Sequence, residues 1–193
     1  MLLKKLKKYN IILGSKSPRR KKLLEDIGID FCIKISAIRE TINHKLDYED
    51  IALDIAKQKA KNLSKYIQKN SILITADTIV LLKNKILEKP KNKQEAFKML
   101  KDLSMKTHKV ITGVYITSKN KQFHFTESTQ VTFKKLHEYE INYYIDRYNP
   151  FDKAGGYGIQ EWIGKIGIKK ITGSYSNVLG LPLCTLYSKL IEF

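Results

Sequence analysis

Apolar residues recur along this chain with two different periods, and the alternation between them predicts an α/β protein. Residues 46–66 carry Ile51, Ile55, Ala56, Ala60 and Leu63 at helical spacing, which predicts an amphipathic helix with one buried face. Residues 71–82 are an apolar, β-branched run that predicts a buried central strand. Residues 83–85 form a turn and 86–88 a short return strand. Residues 93–103 turn Ala96, Met99, Leu100 and Leu103 inward on a second helix. Residues 109–118 and 123–136 predict two long strands, an antiparallel hairpin across Lys119-Asn120-Lys121. The shorter segments read as a strand at 9–13, a helix at 21–27 ended by Gly28, a strand at 30–36, a helix at 138–147, a strand at 163–171 and a closing helix from about Leu183. Helices and strands alternate early and a long hairpin follows, so the expected fold class is α/β, a long mixed β-sheet with flanking helices. There is no internal repeat or low-complexity linker.

Composition narrows this picture. The 193 residues suit one domain or a single two-lobed unit, read here as a basic extension over 1–9 and one domain over 10–193. No apolar run is long enough for a membrane-spanning helix, and the basic start lacks the apolar region of a secretory signal. Cys32 and Cys184 fall in apolar stretches without a C-x-x-C pair. That predicts no disulfide framework and a reducing, cytoplasmic setting. The net charge of +17 raises nucleic-acid binding as an alternative. The lysines are spread along the whole chain rather than gathered in one block, which disfavours a nucleic-acid partner. The same charge helps to attract a small anionic substrate.

Arginine is scarce, with four among 36 basic residues, and two of the four are adjacent at Arg19 and Arg20. They follow a predicted strand and open a helix for which Ser17 is a good N-cap and Pro18 suits the first position. A guanidinium fork matches phosphate oxygens, and the free N–H groups of a helix start face the same way. The segment therefore predicts a polyphosphate site, against the alternative of a capped surface helix. Asp77 stands in the middle of the predicted central strand, where a carboxylate is costly unless it is paired, ligates a metal or does chemistry. The competing explanation is a structural aspartate satisfied by a lysine or by backbone N–H groups. Glu40 alone is an ordinary loop acid; with Asp77 it could complete a site for a hard cation. Lys59 lies near the apolar face of its helix, and Lys89 precedes Pro90, which stiffens the backbone there. Three glycines within four positions, in Gly155-Gly156-Tyr157-Gly158, permit close approach to a ligand. Gln160, just beyond, offers the donor and acceptor that base recognition needs. This loop fits neither a Walker A motif nor a dinucleotide fingerprint.

These blocks, in this order, resemble the Maf family of nucleoside triphosphate pyrophosphatases, from about Leu13 to Leu183. The matching stretches are Ser15–Arg20, Ala76–Val80, Leu87–Pro90, Thr112-Gly113, Asp152–Gln160 and Gly173–Pro182. The resemblance implies a long mixed sheet with two lobes around a cleft, like inosine triphosphatases. It also implies hydrolysis of a nucleoside triphosphate substrate to monophosphate and pyrophosphate with Mg²⁺ or Mn²⁺. Carried over by position, Arg19, Arg20, Lys59 and Lys89 become the polyphosphate clamp, Asp77 the catalytic acid/base, and Glu40 with Asp77 the metal pair. Ser15, Thr78 and Gln160 become substrate-contacting positions. Ala76-Asp77-Thr78 is similar to the dTTP/UTP branch, whereas the 7-methyl-GTP branch carries Ser-Asp-Gln there. Gly14 and Gly156 stand where alanine is common in the family. The family resemblance also implies a homodimer, and leaves a non-enzymatic regulator of cell division as the rival class.

Overall fold

The apolar run at 71–82 forms strand β3 (Ser71–Leu82), and the sheet is arranged about it. The computed structural model describes residues 2–38 and 40–193, so Arg39 lies outside the described residues. The remaining strands are β1 (Asn10–Leu13), β2 (Cys32–Ile33), β4 (Lys85–Leu87), β5 (Thr107–Thr117), β6 (Gln122–Phe133) and β7 (Ile168–Thr172). Their order is β2-β1-β3-β5-β6-β7, with β4 paired to β3. β1 runs parallel to both β2 and β3, with Leu13 opposite Ile74; β4 is antiparallel to β3, and β7 to β6. The expected mixed sheet with flanking helices is what forms.

The chain divides into two compact units. One takes the residues up to Asp77 together with Thr112–Glu127 and Gly180–Phe193; the other takes Thr78–Ile111 and Ser128–Leu179. Strands β3, β5 and β6 run from one unit into the other.

In the first unit, α2 (Pro18–Asp26) starts where predicted, with the Ser17 hydroxyl accepting from the Arg20 backbone N–H at 3.4 Å. Helix α3 (Tyr48–Leu63) buries the row Ile51, Ile55, Lys59 and Leu63. Each residue follows the last by four, so one lysine is carried inside an otherwise apolar stripe. The core here is Ile12, Ala56, Ala60, Leu63, Leu73 and Tyr115. α3 lies directly on β5 at Gly113, where an added Cβ would come within 2.3 Å of the Leu53 nitrogen; only glycine fits. Helix α1 (Leu2–Leu6) buries Leu2 and Leu6, and Lys5 Nζ donates to the Ile191 carbonyl at 2.5 Å, next to the end of α8 (Leu183–Glu192).

The second unit packs α4 (Lys93–Leu103) and α5 (Glu138–Tyr148) over a core that includes Leu100, Phe133, Tyr144 and Ile163. It also holds α6 (Trp162–Gly167) and α7 (Tyr175–Leu179). Asn177 on α7 is fully buried and donates to the Val110 carbonyl and to Thr129 Oγ1, tying the Gly173–Pro182 stretch to β5 and β6.

Two expectations are corrected. Residues 163–171 are not one strand, because Trp162–Gly167 is helical. The helix buries Ile163 and Gly167, four apart, and the isoleucines at 163, 166, 168 and 171, spaced by three, two and three, follow neither period throughout. The strand expected at 30–36 reduces to Cys32–Ile33, an exposed pair on the sheet edge. Cys32 on that edge and Cys184 on α8 are exposed, and neither forms a disulfide. Among the described residues, no helix is long and apolar enough to cross a membrane.

Gly14 follows β1, and a Cβ there would meet Thr75 Cγ2 at 2.5 Å and Leu63 Cδ1 at 2.8 Å. Thr75 is fixed, since its hydroxyl donates to the Ala56 carbonyl at 2.7 Å. Gly14→Ala is expected to cost about 1–3 kcal/mol through overpacking. Thermal unfolding should show the loss, and adding Thr75→Ser, which keeps the hydroxyl and drops the methyl, should recover most of it.

Candidate active site

The strand-to-helix turn at 14–17 presents Ser15 and Arg20 to the first unit. Arg20 is buried, and its fork is spoken for. Nε donates to the Gly180 carbonyl at 2.7 Å, and Nη1 donates to the Ala76 carbonyl at 2.8 Å and to Ser15 Oγ at 3.2 Å. Ser15 Oγ also accepts from the Ser17 N–H at 3.2 Å. Burial pulls the Arg20 pKa down, and the charge of Asp77 opposes that pull. Arg20 therefore joins the β1–α2 turn, the middle of β3 and the start of the C-terminal segment. Arg19 beside it is half-buried.

Lys59 carries its ammonium from the apolar stripe of α3 to the middle of β3. Nζ lies 2.6 Å from Asp77 Oδ1, 3.1 Å from Glu40 Oε1 and 3.4 Å from the Ala76 carbonyl. The Lys59 and Asp77 side chains are 11% and 15% exposed, while Glu40 is 46% exposed. The carboxylate in the strand is thus paired with a lysine, as the structural alternative supposed. Yet the arrangement exceeds what charge balance needs, because a second carboxylate converges on the same ammonium from a loop. Ser15, Arg20, Lys59, Glu40 and Asp77 come together in this unit, linked through Lys59 and the Ala76 carbonyl.

Glu40 and Asp77 both lie against Lys59 Nζ, and carboxylates are hard oxygen donors of the type that Mg²⁺ or Mn²⁺ takes. No group of three or more potential ligands occurs among the described residues.

The second unit holds Thr78, Lys89 and Gln160. Thr78 is half-buried, directly after Asp77 on β3. Lys89 is exposed, just before the buried Pro90. Its segment meets the glycine-rich loop: the Gly155 N–H donates to the Glu88 carbonyl at 3.1 Å. Gly155 and Gly156 have φ of +71° and +70°, so the loop closes through two left-handed residues. Gln160 is half-buried, and its Oε1 is buried without a hydrogen-bond partner among the described residues. Sequence reasoning missed what lies around it. Lys153 is buried with Nζ 2.6 Å from Asp152 Oδ1 and 3.1 Å from Glu161 Oε1. The Tyr144 hydroxyl donates to Glu161 Oε2 and accepts the Gly158 N–H at 3.0 Å. Burial pushes the Tyr144 pKa up, and Glu161 adds to the effect. Lys153 was visible in its motif, but nothing in the pattern around Tyr144 marked it out.

A family model described as Maf-like protein matches residues 10–193. The chain belongs to this family. Among similar proteins, the dTTP/UTP pyrophosphatase of Parabacteroides distasonis is 49% identical over 193 residues, covering 100% of both chains. The dTTP/UTP pyrophosphatase of Phocaeicola vulgatus is 50% identical over 190 residues, covering 98% of each. The fold of this Maf-like chain is also that of the solved Staphylococcus aureus Ham1 protein, with a TM-score of 0.52 and 14% identity over 95% of this chain and 98% of that one.

Proposed function

We propose that this Maf-like chain is a pyrophosphatase of dTTP and UTP that releases the monophosphate and pyrophosphate. The observation that carries the reading is Lys59 held between Asp77 and Glu40 beside the buried Arg20. The cluster draws on α3, β3 and the loop at Glu40, and Arg20 joins it to the start of α2. The names of relatives 47–50% identical over nearly the full chain support the same reading, as does Ala76-Asp77-Thr78.

In this mechanism Asp77 accepts a proton from the water that attacks the α-phosphorus, and Lys59, 2.6 Å away, orients its carboxylate. Arg19 takes up charge on the leaving pyrophosphate. Arg20 holds the turn that carries Ser15 and Arg19. A bound Mg²⁺ or Mn²⁺ at Asp77 and Glu40 would supply further charge neutralisation on the phosphate oxygens. Gln160 Oε1, a buried acceptor in need of a donor, matches the N3–H of uracil and thymine; cytosine offers an acceptor at that position. A reducing cytoplasm is consistent with two exposed, unbridged thiols.

The test is pyrophosphate release over UTP, dTTP, CTP, GTP and 7-methyl-GTP, with and without Mg²⁺. Metal-dependent release from UTP and dTTP at least about tenfold faster than from CTP is expected. Preference for 7-methyl-GTP, or no release from any nucleotide, would refute the proposal.

A further inference from the structure

We propose that Tyr144, Glu161 and Lys153 form a positioning device for Gln160 that sets the discrimination between uracil-type bases and cytosine. This rests on the reading that Gln160 meets the base. The backbone on both sides of Gln160 is fastened to one network. On the C-terminal side, both oxygens of Glu161 are engaged: Oε1 lies 3.1 Å from Lys153 Nζ, and Oε2 accepts from the Tyr144 hydroxyl. On the N-terminal side, the same hydroxyl accepts the Gly158 N–H at 3.0 Å. The Glu161 N–H also donates back to the Gly158 carbonyl at 3.0 Å, closing the turn around Ile159 and Gln160. A Cβ on Gly158 would lie 2.7 Å from Glu161 Cδ, and one on Gly164 would lie 2.0 Å from the Ile159 carbonyl oxygen. The turn therefore has no slack on either side.

Charge is an expensive way merely to hold a loop. Lys153 is 7% exposed, and an apolar cluster of the same shape would usually stabilise as well or better than a buried ion pair. What the network adds is direction, because hydrogen bonds to both flanks fix the orientation of the residue between them. An oriented Gln160 is of use because its Oε1 is buried and unpartnered, a state that costs stability until a ligand donor arrives. Tyr144, Glu161 and Lys153 touch no substrate in this scheme and act only through Gln160.

The experiment compares Tyr144→Phe, Glu161→Gln and Gln160→Ala, reading kcat and KM for UTP and CTP together with Tm. Gln160→Ala should collapse the UTP-over-CTP ratio of kcat/KM. Tyr144→Phe and Glu161→Gln should each lower that ratio about tenfold, mainly through KM for UTP, with kcat for UTP within about twofold. Adding either change to Gln160→Ala should lower the ratio no further, as expected when one residue acts through another. A merely structural role would depress both substrates equally and leave the ratio unchanged; that result overturns the proposal. If Gln160→Ala itself leaves the ratio intact, the proposal falls together with the base-reading role beneath it. If Tyr144→Phe does not fold, Glu161→Gln decides alone, since it keeps the size of the side chain and an acceptor for Tyr144.

Discussion

Asp77→Asn should lower kcat for UTP by about 10²–10⁴-fold, the usual contribution of a positioned proton acceptor. Nucleotide affinity should change far less. Asparagine keeps the shape of the side chain, and its carbonyl can still accept from Lys59, now 2.6 Å from Asp77 Oδ1. It cannot take a proton from water. Lys59 would remain paired with Glu40, 3.1 Å away, so the buried ammonium would not lose every counter-charge. Steady-state kinetics and calorimetric titration with a non-hydrolysable UTP analogue separate the two effects. Turnover near the wild-type rate would remove Asp77 from the chemistry. A parallel loss of affinity and turnover would make its role one of binding.

Arg20→Lys should be nearly as damaging, although it conserves charge. Two nitrogens of the Arg20 fork serve the Gly180 carbonyl, the Ala76 carbonyl and Ser15 Oγ. A single ammonium on a flexible stem does not reproduce that spread. Each buried acceptor left without a donor costs about 1–3 kcal/mol. With two carbonyls affected, and about 2–4 °C per kcal/mol for a chain of this size, Tm should fall by about 10 °C. Activity should fall with it, because Ser15 and Ala76, the neighbour of Asp77, lose their common tether. Differential scanning calorimetry of Arg20→Lys beside Arg19→Lys is the check, with the smaller loss expected at the half-buried Arg19. Equal, small losses would mean that Arg20 anchors nothing.

The two arginines show how far the chain could be read before its structure. Their scarcity and their place at a helix start pointed to guanidinium geometry. The partners of Arg20 could not be seen, because Gly180 is 160 residues away and contributes only a backbone carbonyl. Lys59 was legible as a lysine near an apolar stripe, since its spacing from Ile51 and Ile55 is local. Its contact with Asp77 is tertiary, and periodicity does not encode which strand a helix covers. The central strand 71–82 and the helix 93–103 have the bounds their patterns predict, because long regular segments carry a strong period. The segment 163–171 did not, because its isoleucines at 163, 166, 168 and 171 change spacing where the helix gives way to the strand. Tyr144 escaped notice for a related reason: a tyrosine on an amphipathic helix looks like core, and it is core, except for its hydroxyl.

The position of bond cleavage separates a pyrophosphatase from every other triphosphate hydrolase. Hydrolysis of UTP in H₂¹⁸O, followed by mass spectrometry of the products, reads it out. The prediction is one ¹⁸O in UMP and none in pyrophosphate, with water attacking the α-phosphorus under the control of Asp77. Formation of UDP and labelled inorganic phosphate, or label in the pyrophosphate, would contradict it.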